Sequence, residues 1–223
     1  HTNLYDLAFV GIIFTGLTFA LLLWFTKSTD RGANRFLSLA LVTMVLQVLW
    51  VLCIDMGPAN YFIHRSWQPW QFSLALGPLI FFYVRKKVNP EYKSGWKDLL
   101  HFSPLLPALG AIVLEIREGT YDTLIFRQLN AVFLLLAFIS VLVYLRLSHK
   151  QVERFYNGLK FNDGERNRAE LLWLHRLLVG FGLIWLLWIP FTAVDYFGYH
   201  NQLDRGAYYP LYMLLSAMLI RVG

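Results

Sequence analysis

Seven apolar segments alternate with hydrophilic loops along this chain of 223 residues, and that alternation restricts the fold more than any other feature. The segments are 7–25, 36–54, 67–84, 99–116, 122–145, 171–197 and 208–222. A bilayer core of roughly 30 Å is crossed by about 20 residues of helix. Hydrophobic residues make up 57% of the chain and charged residues 15%, more apolar surface than a soluble domain of this size can bury. The expected fold is all-α: a polytopic membrane protein forming a single seven-transmembrane-helix bundle.

The positive charge predicts the orientation. Lys27, Arg31 and Arg35 follow the first segment; Arg85, Lys86, Lys87, Lys93 and Lys97 follow the third; Arg146, Lys150, Arg154, Lys160, Arg166 and Arg168 follow the fifth. These are fourteen of the twenty basic residues. The alternate loops and their flanks hold only Arg65, Arg117, Arg127 and Arg205. Cytoplasmic loops are the ones enriched in Lys and Arg, so the N-terminus is expected outside and the C-terminus inside. The net charge of +6 is spread along one membrane face and does not indicate that this chain binds nucleic acid. Segment 208–222 rises only about 22 Å as a helix, so the polypeptide is expected to continue past Gly223 into the cytoplasm.

The residue inventory weighs against several chemistries. A retinal protein needs a buried lysine for its Schiff base, yet every lysine falls in a predicted cytoplasmic loop. A membrane zinc hydrolase needs His and carboxylate ligands converging within the bilayer. His101, His149 and His175 lie near the inner face and His64 and His200 near the outer, no two of them at helical spacing. Cys53 is the only cysteine, which excludes an internal disulfide. No phosphate loop or nucleophile elbow is present. No catalytic residue, metal or cofactor is expected, and the chain is not read as an enzyme. A transporter would carry acids and bases deep in the membrane, and the segments are nearly free of them.

What remains is a polar and aromatic lining on the outward half. Thr43, Gln47 and Trp50 share one face of the second segment, and Trp67, Trp70 and Gln71 cluster at the outer end of the third. Arg127 and Asn130 follow on the fifth; Trp185, Trp188, Thr192, Asp195 and Tyr199 form a stripe on the sixth; Tyr209, Tyr212 and Ser216 mark the seventh. A small ligand entering from outside is expected to meet Gln47, Trp50, Trp70, Gln71, Arg127, Asn130, Trp188, Asp195, Tyr199 and Tyr209, aromatic walls with a few polar groups. The competing explanation is that Trp and Tyr favour membrane interfaces and polar stripes join helices. Gly77-Pro78 and Pro190 are expected hinges, the first also permitting close approach of a neighbour.

Several stretches carry a family likeness. Gly32-Ala33-Asn34-Arg35-Phe36-Leu37 follows the first segment, Leu76-Gly77-Pro78-Leu79-Ile80-Phe81-Phe82-Tyr83-Val84 ends the third, Leu99-Leu100-His101-Phe102-Ser103-Pro104 opens the fourth and Leu172-Trp173-Leu174 opens the sixth. In this order the chain resembles the N-terminal seven-transmembrane sensor domain of membrane-bound AraC-type bacterial transcription regulators. The resemblance implies multi-pass placement in the bacterial cytoplasmic membrane. It also implies relay of a signal to a cytoplasmic helix-turn-helix domain, so DNA is a partner only through a C-terminal domain outside these residues. Membrane lipids and an outer-side small ligand are the expected direct partners, with a homodimer left open. A small-molecule transporter or lipid-handling membrane protein is the alternative.

Overall fold

In a computed structural model the described residues are 4–27, 31–55, 72–118, 124–158, 165–198 and a few helical positions between 210 and 217. They are all-helical. The elements are α1 (Leu4–Phe25), α2 (Arg31–Asp55), α3 (Ser73–Val88), a 3-10 helix (Trp96–Phe102), α4 (Leu105–Glu118), α5 (Leu124–Gly158) and α6 (Glu165–Gly198). Four helices, α1, α2, α5 and α6, are long and apolar enough to cross a membrane.

Small residues let α1 and α2 approach closely. Gly16 lies directly against Val45, and the Ser38 hydroxyl donates to the Ala20 carbonyl at 2.6 Å. Gly16 and Ala20 are one turn apart, the small-xxx-small spacing of close helix pairs. α3 then packs antiparallel on α2 and parallel to α5. It is buried nearly all round: of its first twelve residues only Ala75 is not fully enclosed. Its other side meets α5 at Gly77, where a Cβ would come within 3.2 Å of the Ser140 carbonyl oxygen and the Val141 Cα. The close approach expected of Gly77-Pro78 is therefore present, with Pro78 buried inside the continuous helix. Asn89 closes the last turn on the Arg85 carbonyl at 2.9 Å, and Pro90 stops the helix.

α5 and α6 form an antiparallel seam with alternating steps of three and four. Phe138, Val141, Leu145, Ser148 and Val152 face Leu174, Leu178, Phe181, Trp185 and Trp188, all buried. The register is fixed by Phe138 against Trp185 and His149 against His175. α4 is peripheral. Ala108 is buried against Leu74 and Ala137, whereas Leu106, Val113 and Leu114 remain exposed.

Helix bounds depart from the apolar segments at the charged end. α2 begins at Arg31 rather than 36, α3 runs on through Arg85-Lys86-Lys87, and α5 continues from 145 to Gly158. Charged residues stop a hydropathy run, but Arg, Lys, Gln and Glu are good helix formers and do not stop a helix. The expected helix 99–116 is shorter: the 3-10 helix and Pro104 precede α4, because the residue before proline is driven out of the helical region. Of the expected helix 208–222, only the few positions named above lie within the described residues.

The start of α2, the end of α3, the 3-10 helix and the long polar end of α5 gather at one end of the bundle, where most of the basic residues lie. Arg35 stacks over Trp24 at 5.4 Å, Lys86 lies against Gly32, and His101 bonds Tyr144. In a membrane this end is expected to face the cytoplasm. Cysteine placed at Lys93 or Lys160 should then escape an impermeant thiol reagent in intact cells and react after permeabilisation. Labelling of either site without permeabilisation would reverse the orientation.

Candidate functional site

The predicted outward lining divides between two helix contacts. On α2, Gln47 is buried and its amide donates to the Ser73 hydroxyl at 2.5 Å, joining α2 to α3. Trp50, one turn further out, is also buried. Thr43 turns its hydroxyl to the Leu39 carbonyl at 2.8 Å and so serves its own helix. On α6, Trp185 and Trp188 are buried, with Trp185 stacked on Phe181 and tilted against Phe138. Thr192 donates to the Trp188 carbonyl at 3.0 Å. Gln47, Trp50 and Trp188 thus all occupy the interior. Gln47 has the interhelical bond that a polar stripe makes when it holds helices together.

Trp70, Gln71, Tyr199 and Tyr209 lie outside the described residues, as do the side chains of Arg127, Asn130 and Asp195. The backbones of the last three do belong to α5 and α6, and the seam locates them. Steps of four and three lead from Leu145, Val141 and Phe138 back to Arg127, and from Trp185 and Trp188 on through Thr192 to Asp195. The register set by Phe138–Trp185 and His149–His175 carries Arg127 to the level of Asp195–Phe197. Two positions of opposite charge therefore lie at about one level of α5 and α6, at the end opposite the basic one.

The two expected hinges differ in setting. Pro78 is enclosed between neighbours and cannot bend without moving α5. Pro190 is exposed on α6, which runs through it to Gly198. Lacking an N–H, it leaves the Leu186 carbonyl without its usual helical donor.

At the basic end the polar connection after α3 is folded back onto the bundle. Arg85 lies over the Tyr92 ring at 3.9 Å. The Tyr92 hydroxyl donates to the Asp98 carboxylate at 2.6 Å, and the Gly95 N–H donates to it at 2.8 Å. Burial by itself would raise the Asp98 carboxyl; the two hydrogen bonds and the nearby Arg85 charge outweigh it and hold the group below the usual carboxylate range. Burial, then the bond to Asp98, pushes the Tyr92 phenol up. Beyond this clasp, His101 Nδ1 and the Tyr144 hydroxyl are 2.7 Å apart, and Phe82 packs between Phe36 and Phe102. Trp96, Leu99 and Leu100 are exposed, a short apolar face flanked by Lys93 and Lys97.

Sequence reasoning missed the partners here. Tyr144 reads as one more apolar-segment residue, and His149 and His175 read as separate inner-face histidines. Only the antiparallel register brings the pair to a ring separation of 4.8 Å. Gly95-x-x-Asp98 is the one local signal that was available for the clasp, a carboxylate three residues past a turn glycine.

No known protein family, curated protein or solved structure matches this chain.

Proposed function

We propose that the chain is the membrane-embedded sensing domain of a bacterial transcription regulator. In this reading seven helices cross the inner membrane with the N-terminus outside, and a small ligand binds among the outward residues. The bundle performs no chemistry and passes its conformational state to a cytoplasmic helix-turn-helix domain. The observation that carries the proposal is the α5–α6 seam. It runs from buried Trp188 and Trp185, with Trp185 against Phe138, to His149 against His175, among the charged residues Arg146, Lys150, Glu153, Arg154 and Arg176 at the basic end. A ligand biases two states only through a difference in affinity for them, and a seam that runs on to the basic end gives such a difference a route in that direction. The family likeness of the Gly77-Pro78 and His101–Pro104 stretches supports the regulatory output.

The reading frame that follows codon 223 in the gene tests this directly. A helix-turn-helix domain supports the reading, whereas a further membrane helix or an immediate stop favours a transporter or lipid-handling protein. Pro190→Ala provides the functional test. The substitution supplies the missing donor to the Leu186 carbonyl and stiffens α6. Output from a target-promoter reporter should shift by several-fold, within the 5–150-fold range of about 1–3 kcal/mol of coupling, at unchanged membrane abundance. Normal output at equal abundance would remove Pro190 from the relay.

A further inference from the structure

His149 on α5 and His175 on α6 meet across the seam with ring centroids 4.8 Å apart and ring planes at 46°. Both side chains are half-buried, and the seam around them is filled by buried Leu145, Val152, Leu174 and Leu178. An imidazole nitrogen binds zinc at about 2.0–2.1 Å. With the ring centre about 1.1 Å behind that nitrogen, two imidazoles on one ion have centroids about 4.5 Å apart at a right angle and about 5.1 Å apart at the tetrahedral angle. The observed separation falls between these limits. The two ligands also come from different helices, so an ion held by both ties α5 to α6.

We propose that His149 and His175 form a two-histidine site for a divalent transition metal of the Zn2+, Ni2+ or Cu2+ class, clamped between α5 and α6. Imidazole is the ligand these ions share, which excludes Mg2+ and Ca2+ as natural occupants. Among the described residues no cluster of three or more His, Cys, Asp or Glu is present, so water completes the coordination. Such a site is open and exchangeable, unlike a closed structural zinc. Bound metal stabilises the closed hairpin by mass action and holds the two helices in one register. The site stands independently of any sensing role, because it requires only that the two rings meet.

The test uses the purified chain in detergent, without a histidine tag and stripped with chelator, titrated with ZnCl2 or NiCl2 against a chromophoric competitor. One ion per chain is expected to bind. His149→Ala and His175→Ala should each weaken binding by at least about tenfold, the loss that removal of even a second-shell partner can cause. His101→Ala should keep the site, because the His101 ring is engaged with Tyr144 at 2.7 Å. A second measurement needs no variant. Zinc should protect His149 and His175 of the wild-type chain from diethyl pyrocarbonate, read residue by residue by mass spectrometry. Failure to bind an ion stoichiometrically, unchanged affinity in either alanine variant, or equal modification of both histidines with and without zinc would overturn the proposal.

Discussion

Gly77→Leu is expected to cost the folded chain a large part of its stability. A Cβ at this position would stand 2.9 Å from the Tyr144 ring and 3.2 Å from the Ser140 oxygen and Val141 Cα. The ring can shift, but the backbone of α5 cannot yield without opening the contact between α3 and α5. Overpacking a filled core costs about 1–3 kcal/mol and sometimes more. A leucine adds three further carbons beyond the Cβ, so a loss of at least about 3 kcal/mol is expected, a large part of a typical stability of about 5–15 kcal/mol. Gly11→Ala is the matched control. Nothing lies within 4 Å of its Cβ position, and helix propensity predicts a neutral or slightly stabilising change there. The readout is the temperature at which each variant leaves the monodisperse peak in size-exclusion chromatography. A Gly77→Leu chain melting with the wild type would mean that α3 and α5 are not in contact at this point.

The second large effect concerns the outer end of the seam. Asp195→Asn should lower the ligand response of a transcriptional reporter by about tenfold or more while the protein remains inserted. The expectation comes from position. On α6 Asp195 follows Trp188 and Thr192 by steps of four and three, and the register sets it about level with Arg127 on α5. A charge near an apolar core is costly unless paired or solvated, so the two either pair with each other or hold opposite ends of a polar ligand. The exchanged variant, Arg127→Asp with Asp195→Arg, separates these cases. If the residues serve only each other, the exchange restores both abundance and response. If they hold a ligand of fixed polarity, it restores abundance alone. A silent Asp195→Asn variant would mean that the residue faces outside water and takes no part in sensing.

Much of the helical framework is legible from hydropathy because α1, α2 and α6 owe their existence to it. The expected 7–25, 36–54 and 171–197 lie inside Leu4–Phe25, Arg31–Asp55 and Glu165–Gly198. The failures have one physical origin: a hydropathy profile reports where apolar side chains end, not where backbone hydrogen bonding ends. Residues 146–158 are polar yet helical, and residues 99–104 are fairly apolar yet fail to form an α-helix because of Pro104. Side-chain partnerships were less accessible still. Gln47 is conspicuous as a lone amide in an apolar segment, but its partner Ser73 is 26 residues away, at the first residue of α3. The pairing of His149 with His175 depends on the register of two long helices. That register is set by where Phe138 and Trp185 pack and not by either histidine's neighbours.

The enclosure of α3 changes which property of its sequence is under constraint. In a bilayer, the outward rows of α1, α5 and α6, with residues such as Phe14, Leu135 and Leu186, are solvated by acyl chains. Their side chains can change size freely as long as they remain oily. Leu76, Phe82 and Val84 on α3 are walled in by protein and meet no such solvent. For them oiliness is secondary and volume is decisive, because a close-packed interior registers a single added or missing methylene. Random substitution of this protein would therefore separate into two vocabularies of tolerance: one written in polarity around the perimeter, the other in cubic ångströms along a single central rod.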